Sequence, residues 1–227
     1  MGFAPREQRN GIISVETDAT ATIISSKNPA FILCVLATIV SGISYVGAYY
    51  KDVWIFELIL GWIAVAALLL TSGRFRFSRM VYYLVAIHFL ILAIGAHYSY
   101  AEMPLFNWLR DTFDLQRNYY DRVGHFMQGF VPAIVARELI LRKSKLGKGK
   151  LLSVLVVFTM LGLSAFYEFV EWWIVLFIYP EQGIAWLGMQ GDTWDAQQDM
   201  FQAFIGATAA IVFLSRLHDR SMTRSVK

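Results

Sequence analysis

"NYYDRVGHFMQGFVPAIVARELILRK", Asn118 to Lys143, is the stretch whose reading decides the fold. Its middle, roughly 123 to 142, is apolar and reaches the length of about 20 residues that a helix needs to cross a bilayer. Asp121 and His125 stand at its entrance, four residues apart and so on one helix face. The spacing predicts a membrane helix with a polar group at its mouth. A single such helix cannot stabilise that group, so the rest of the chain must supply partners.

It supplies five more apolar runs, at roughly 30 to 49, 53 to 72, 80 to 100, 151 to 179 and 198 to 217. Of the 227 residues 57% are hydrophobic and 16% charged, which excludes an ordinary soluble domain. The expected fold is all-α, a polytopic membrane protein of about six transmembrane helices. Its expected parts are a polar cytoplasmic tail over 1–28, a six-helix domain over 29–218 and a cytoplasmic tail over 219–227. Cys34 is the single cysteine and lies in the first run, so a disulfide framework and a CxxC metal site are excluded. The net charge of +3 is spread over short loops and offers nucleic acid no basic face.

Those loop charges set orientation. Arg6, Arg9 and Lys27 precede the first run, Arg74, Arg76 and Arg79 join the second and third, "LRKSKLGKGK" joins the fourth and fifth, and Arg216, Arg220, Arg224 and Lys227 follow the sixth. Excess Lys and Arg marks the cytoplasmic side, so both termini are expected inside. The connections on the other side carry the elaboration. "AEMPLFNWLRDTFDLQRNYY" places Phe106 and Trp108 on what reads as a short interfacial helix, and 180–197 is acidic and rich in Gly and Trp.

Ionisable groups inside spans are costly and point to function. In "SAFYEFVEWW", Glu168 and Glu171 are three apart, and Glu168 lies roughly 25 Å along the helix from Leu151, in the outer part of the bilayer. Asp192, Asp195 and Asp199 form a stripe at the outer start of the sixth run, and Glu57 and His97 reach the same level. Arg117 and Arg122 cannot neutralise so many carboxylates, and like charges this close recruit protons or a cation. The expected site therefore has Asp121, His125, Glu168, Asp195 and Asp199 as ligands of a divalent metal, Mn, Fe, Zn or Mg, with Glu171 as general base. Arg117 and Arg122 are placed to hold an anionic headgroup. The competing reading has protonated carboxylates hydrogen-bonding between helices. His88 reads as a packing histidine, Arg137 and Glu138 as snorkelling groups, Trp172 and Trp173 as aromatic belt, His218 as a solvated tail residue and Pro132 as a kink.

"YDRVGHFMQGF", "FYEFVEWW" and "GDTWDAQQDMFQAFIGA" together resemble the YjdF-like inner-membrane proteins of bacteria, over roughly 50 to 210. That resemblance implies a multi-pass protein of the bacterial inner membrane. More remotely, the order of polar positions is similar to the VanZ-like family, with Asp121, His125, Glu168 and Asp199 at the polar places and Gly206 at the small one. Glu171 stands where that family has Gln, and Ala203 where it has Asn.

Three functions compete. The first is a metal-dependent hydrolase or transferase acting on an envelope lipid or lipid-linked substrate, with membrane lipid as partner. The second is a cation or proton transporter, for which His88 is the only deep station. The third is a scaffold in which the cluster clasps helices.

Overall fold

A computed structural model describes residues 27–178 and 189–225. Among the described residues every regular element is helical: α1 (Pro29–Tyr45), α2 (Lys51–Thr71), α3 (Arg79–Tyr98), α4 (Pro104–Phe113), α5 (Tyr120–Lys143), α6 (Lys150–Phe177), α7 (Asp195–Ala209) and α8 (Ser215–Ser225). A five-residue π-helical turn, Ala210–Leu214, carries α7 into α8. The all-α polytopic expectation is met. Four helices are long and apolar enough to cross a membrane, namely α2, α3, α6 and the α7–α8 rod, and α1 is a shorter apolar helix. The expected N-terminal tail up to residue 26, the first half of the 180–197 loop and the last two residues of the expected C-terminal tail lie outside the described residues.

Two packed groups of three emerge. The helices α1, α2 and α3 pack on one another, as do α5, α6 and α7, and α3 against α5 joins the groups. Small hydroxyl groups knit the first group. Ser44 Oγ donates to the Ala93 carbonyl at 2.6 Å and accepts from Trp54 Nε1 at 3.0 Å, and Ser41 Oγ accepts from Trp62 Nε1 at 3.1 Å. Where lipid offers no water, such bonds supply the indole and hydroxyl partners. Asn28 caps α1 through Ala30 N at 3.1 Å, with Pro29 preset for the first turn, and its amide donates to Ser72 Oγ at 2.9 Å.

Glycine sets the second group. A Cβ at Gly129 on α5 would run into the Ala203 backbone carbonyl on α7, and one at Gly206 into that of Phe126. The two backbones thus meet directly, as small residues at membrane helix crossings allow. That contact fixes the depth at which Asp121 and His125 of α5 face Asp195 and Asp199 of α7. The helix α5 runs on past Pro132 to Lys143.

The expected interfacial helix is present as α4. Leu105, Trp108 and Phe113 are exposed along it, the pattern of an element resting on a bilayer surface. Its position is held from below: Asn118 Nδ2 donates to Asn107 Oδ1 at 2.9 Å and to the Met103 carbonyl at 3.0 Å.

The end of the bundle opposite Asp121 departs from the sequence reading. His218 is fully buried, not solvated, and Arg137 and Glu138 are buried as well, so neither snorkels. Glu138 accepts from Ser78 N at 2.8 Å and Arg142 Nη1 at 2.7 Å through one oxygen, and its other oxygen meets His218 Nε2 at 2.9 Å. His218 Nδ1 faces Arg137 Nη1 at 2.9 Å, and Arg137 and Lys148 both pair with Asp219. A guanidinium only donates, so Nδ1 accepts and Nε2 carries the hydrogen that Glu138 receives. The apolar run ends near 217, but the helix continues because its next turn completes this network.

Candidate functional site

At the other end, the charges expected to gather do gather. Asp121 and His125 come from the first turns of α5, and Asp195 and Asp199 from the first turns of α7. Asp192 belongs to the turn before α7, yet it reaches the same partners. Arg117 Nη1 lies 2.7 Å from Asp195 and 3.2 Å from Asp192. Arg122 Nη2 lies 2.8 Å from Asp195 and 3.1 Å from Asp192, while its Nη1 bonds Asp199 and lies 3.4 Å from Asp121. Both arginines and Asp121, Asp195 and Asp199 are buried. Arg117 and Arg122, expected to face a headgroup, thus bind aspartates with these nitrogens. Arg117 Nε and Nη2 and Arg122 Nε have no hydrogen-bond partner among the described residues.

Asp192 stands outside the spans. The Trp194 backbone N–H, received at 2.9 Å, holds its carboxyl below the usual carboxylate range, with the Arg122 and Arg117 guanidiniums adding to the effect.

Four aspartates meet two guanidiniums here, an excess of two negative charges before His125 is considered. His125 Nδ1 is 2.9 Å from Gln128 Oε1, a carbonyl oxygen, so Nδ1 carries the hydrogen. The opposite nitrogen is an acceptor in the neutral ring and a donor in the imidazolium. Nε2 points at Asp121 Oδ1, 3.5 Å away, and Asp199 Oδ1, 3.7 Å away, both too far for a normal hydrogen bond. One donor atom from each of Asp121, His125 and Asp199 falls within 4.8 Å of the others. Ligands held at about 2.0–2.2 Å from a common ion spread to roughly that extent.

Asp195, assigned with these from sequence, sits one turn before Asp199 and meets the arginines rather than the triad. Glu168 and Glu171 come from α6; one Glu168 oxygen is buried and has no hydrogen-bond partner among the described residues. Tyr167, which sequence reasoning passed over, lays its ring edge-on to His125 at 5.9 Å. Its spacing of four from Glu171 was the available signal. His97 does not join: its Nδ1 meets the Ser44 carbonyl at 2.7 Å.

Asp121 and His125 of the triad form part of the wall of a cavity of about 1230 Å³ between the two helix groups. Asp52, Glu57, Asp121, His125 and Glu171 line one end, Arg74 and Lys143 the other, and the wall between them is mostly aliphatic and aromatic. His88 is the polar exception midway, and its Nε2 has no partner among the described residues. The volume exceeds the roughly 300–1,000 Å³ of a typical small-molecule pocket.

Comparison with known proteins gives one consistent picture. Residues 29–220 match the family described as "Predicted membrane protein (DUF2238)". The chain is 39% identical over 197 residues to the inner membrane protein YjdF of Escherichia coli (strain K12), covering 87% of this chain and 92% of that protein. No solved structure matches.

Proposed function

From the premise that this chain belongs to the DUF2238 family of membrane proteins, we propose that it is an inner-membrane protein which binds a divalent cation and acts with it on an envelope lipid or lipid-linked substrate. In this reading six helical passes put both termini in the cytoplasm, and the Asp121 end faces outward. The relative of that name in Escherichia coli and the basic loops on the Glu138 side support this orientation. Asp121, His125 and Asp199 hold the ion; Glu168 and Asp195 are its outer carboxylates.

One observation carries the proposal: His125 Nδ1 is taken by Gln128, and His125 Nε2 is aimed between two carboxylate oxygens at distances too long for a normal hydrogen bond, so that in the neutral ring its lone pair faces them. Three acceptors aimed at one point repel unless a positive charge lies between them, and neutral imidazole with carboxylates suits Mn, Fe, Zn or Mg. Gln128 orients the imidazole and Arg122 the carboxylates, as the outer hydrogen bonds of a metal site do. A bound ion would polarise a phosphoryl or acyl oxygen or activate water for hydrolase or transferase chemistry, with Glu171 on the cavity wall as the base. Arg117 Nε and Arg122 Nε, without a hydrogen-bond partner among the described residues, are the donors available to a phosphate oxygen, while Arg117 Nη2 faces Asp121 at 3.6 Å.

A specific observation favours a second reading. Asp121 and Asp199 already pair with Arg122, so a proton on His125 Nε2 would also satisfy the group and leave a clasp between α5 and α7. Elemental analysis of detergent-purified protein separates the two. The cation reading expects one equivalent of metal, lost in both His125→Ala and Asp199→Asn; metal-free wild-type protein after dialysis against each of the four ions would sink it.

A further inference from the structure

We infer that Glu57 is the headgroup receptor of the cavity, and that the cavity's ligand is a lipid whose headgroup carries an N–H donor of an amine. This rests on the lipid reading above and names its substrate class. Glu57 projects from the second turn of α2, on the wall shared with Asp121, His125 and Glu171. Tyr100 lines the same end of the cavity. Glu57 Oε2 is buried from solvent and has no hydrogen-bond partner among the described residues.

The backbone leading into Tyr100 is built at a cost. Ser99 holds φ 64° and ψ 141°, a region that residues other than glycine rarely enter. The chain turns there into the short helix that carries Tyr100, whose ring fits where Gly95 and Gly124 lack a Cβ. Ser99 and Tyr100 both line the cavity beside Glu57, and strained backbone of this kind clusters where a protein meets a ligand. A buried carboxylate oxygen without a donor loses its hydration and regains it only from a bound donor, most strongly from a charged one.

The charge distribution selects the ligand. The end of the cavity at Glu57 is lined by carboxylates and a single imidazole, and its basic lining residues, Arg74 and Lys143, are at the far end. A headgroup without a cation leaves Glu57 unanswered, whereas an ammonium matches it. The tail then runs along the aliphatic wall formed by Leu60, Leu68 and Leu163 toward Lys143. The helices α2 and α6, which flank this wall, do not pack on each other along their length, so a chain can enter sideways from the bilayer.

The test uses full-length protein, delipidated in detergent and offered dioleoyl phosphatidylethanolamine, phosphatidylcholine or phosphatidylglycerol, with retained lipid read by native mass spectrometry. The ethanolamine lipid should be retained about tenfold better than either of the others, the size of one charge-assisted hydrogen bond. Glu57→Gln should bring the three to parity, and Leu60→Trp should reduce all three together. Equal retention by wild-type protein, or preference for the glycerol lipid, overturns the assignment without any variant having to fold. Preference for choline equal to ethanolamine overturns the N–H requirement. Metal content measured on the same samples keeps the two ideas apart: absent metal with the ethanolamine preference intact sinks only the cation reading, and bound metal without headgroup preference sinks only this one.

Discussion

The two ends of the bundle carry similar residues and use them differently. At the Glu138 end, two carboxylates meet three cationic side chains, and both oxygens of Glu138 and both nitrogens of His218 are partnered. At the Asp121 end, four aspartates meet two arginines, and polar atoms of Arg117, Arg122, Glu57 and Glu168 are left over. Among the described residues the first arrangement leaves only Ser78 Oγ and Asp219 Oδ1 without a hydrogen bond, Asp219 Oδ1 still lying 2.8 Å from Arg137, whereas the second leaves guanidinium and carboxylate atoms unmet. A buried network costs least when every member is satisfied, so incompleteness is tolerated where it serves a ligand.

If that contrast is right, removing one carboxylate should hurt the two ends unequally. Glu138→Ala takes the carboxylate partner from His218, Arg142 and the Ser78 N–H together, and breaking a buried pair in this way costs about 3–5 kcal/mol. A thermal melt in detergent should show the largest drop of any single substitution in the molecule. A Glu138→Ala protein that melts with wild type would erase the comparison. Gly129→Val tests the joint between the ends: the Ala203 carbonyl must move, at a cost of about 1–3 kcal/mol, and the displaced α7 should lose bound metal as well. Asp121→Asn removes one of the excess charges and should shift stability by less than about 1 kcal/mol while abolishing metal uptake. A fall as large as that of Glu138→Ala would mean the Asp121 end is a clasp too.

The uneven legibility of the two ends has the same origin. Hydropathy set out the first five of the apolar runs within a few residues of observed helices, because a long apolar run has few alternatives. It set out the start of the last as well, but that helical stretch continues to Ser225, eight residues past its expected end at 217. Spacing put Asp121 beside His125 and Asp195 beside Asp199, because helix periodicity alone brings i and i+4 together. The Glu138 end was misread because snorkelling and burial look identical in sequence: Arg137 and Glu138 sit at the same depth either way. Only the partner decides, and His218 is 80 residues from Glu138. A buried ion pair between helices leaves no periodic trace. The π turn at Ala210–Leu214 compounds this, since its extra residue rotates the following helix face away from the 3.6-residue pattern that would have pointed His218 inward. Pairing of Arg117 and Arg122 with aspartates was hidden for a related reason, as long side chains reach sideways by an amount that spacing does not encode.

The smallest effect comes from the most accessible member of the Asp121 end. Asp192 is ionised more readily in the folded protein than in the unfolded chain, through the Trp194 N–H first and then the two arginines. A carboxylate with a depressed folded value contributes stability that is present above its unfolded value, near pH 4, and lost as pH falls through the folded one. Asp192→Asn should therefore lower the melting temperature slightly at neutral pH and leave it unchanged at the acid extreme, so the wild-type and variant curves converge below about pH 4. The side chain is part-exposed, and solvent screening keeps the effect modest. Convergence that persists when Arg122→Gln is added would place the effect at the Trp194 turn alone. Its disappearance in that background would make Asp192 part of the arginine network, and the excess of charge at the Asp121 end would then include it.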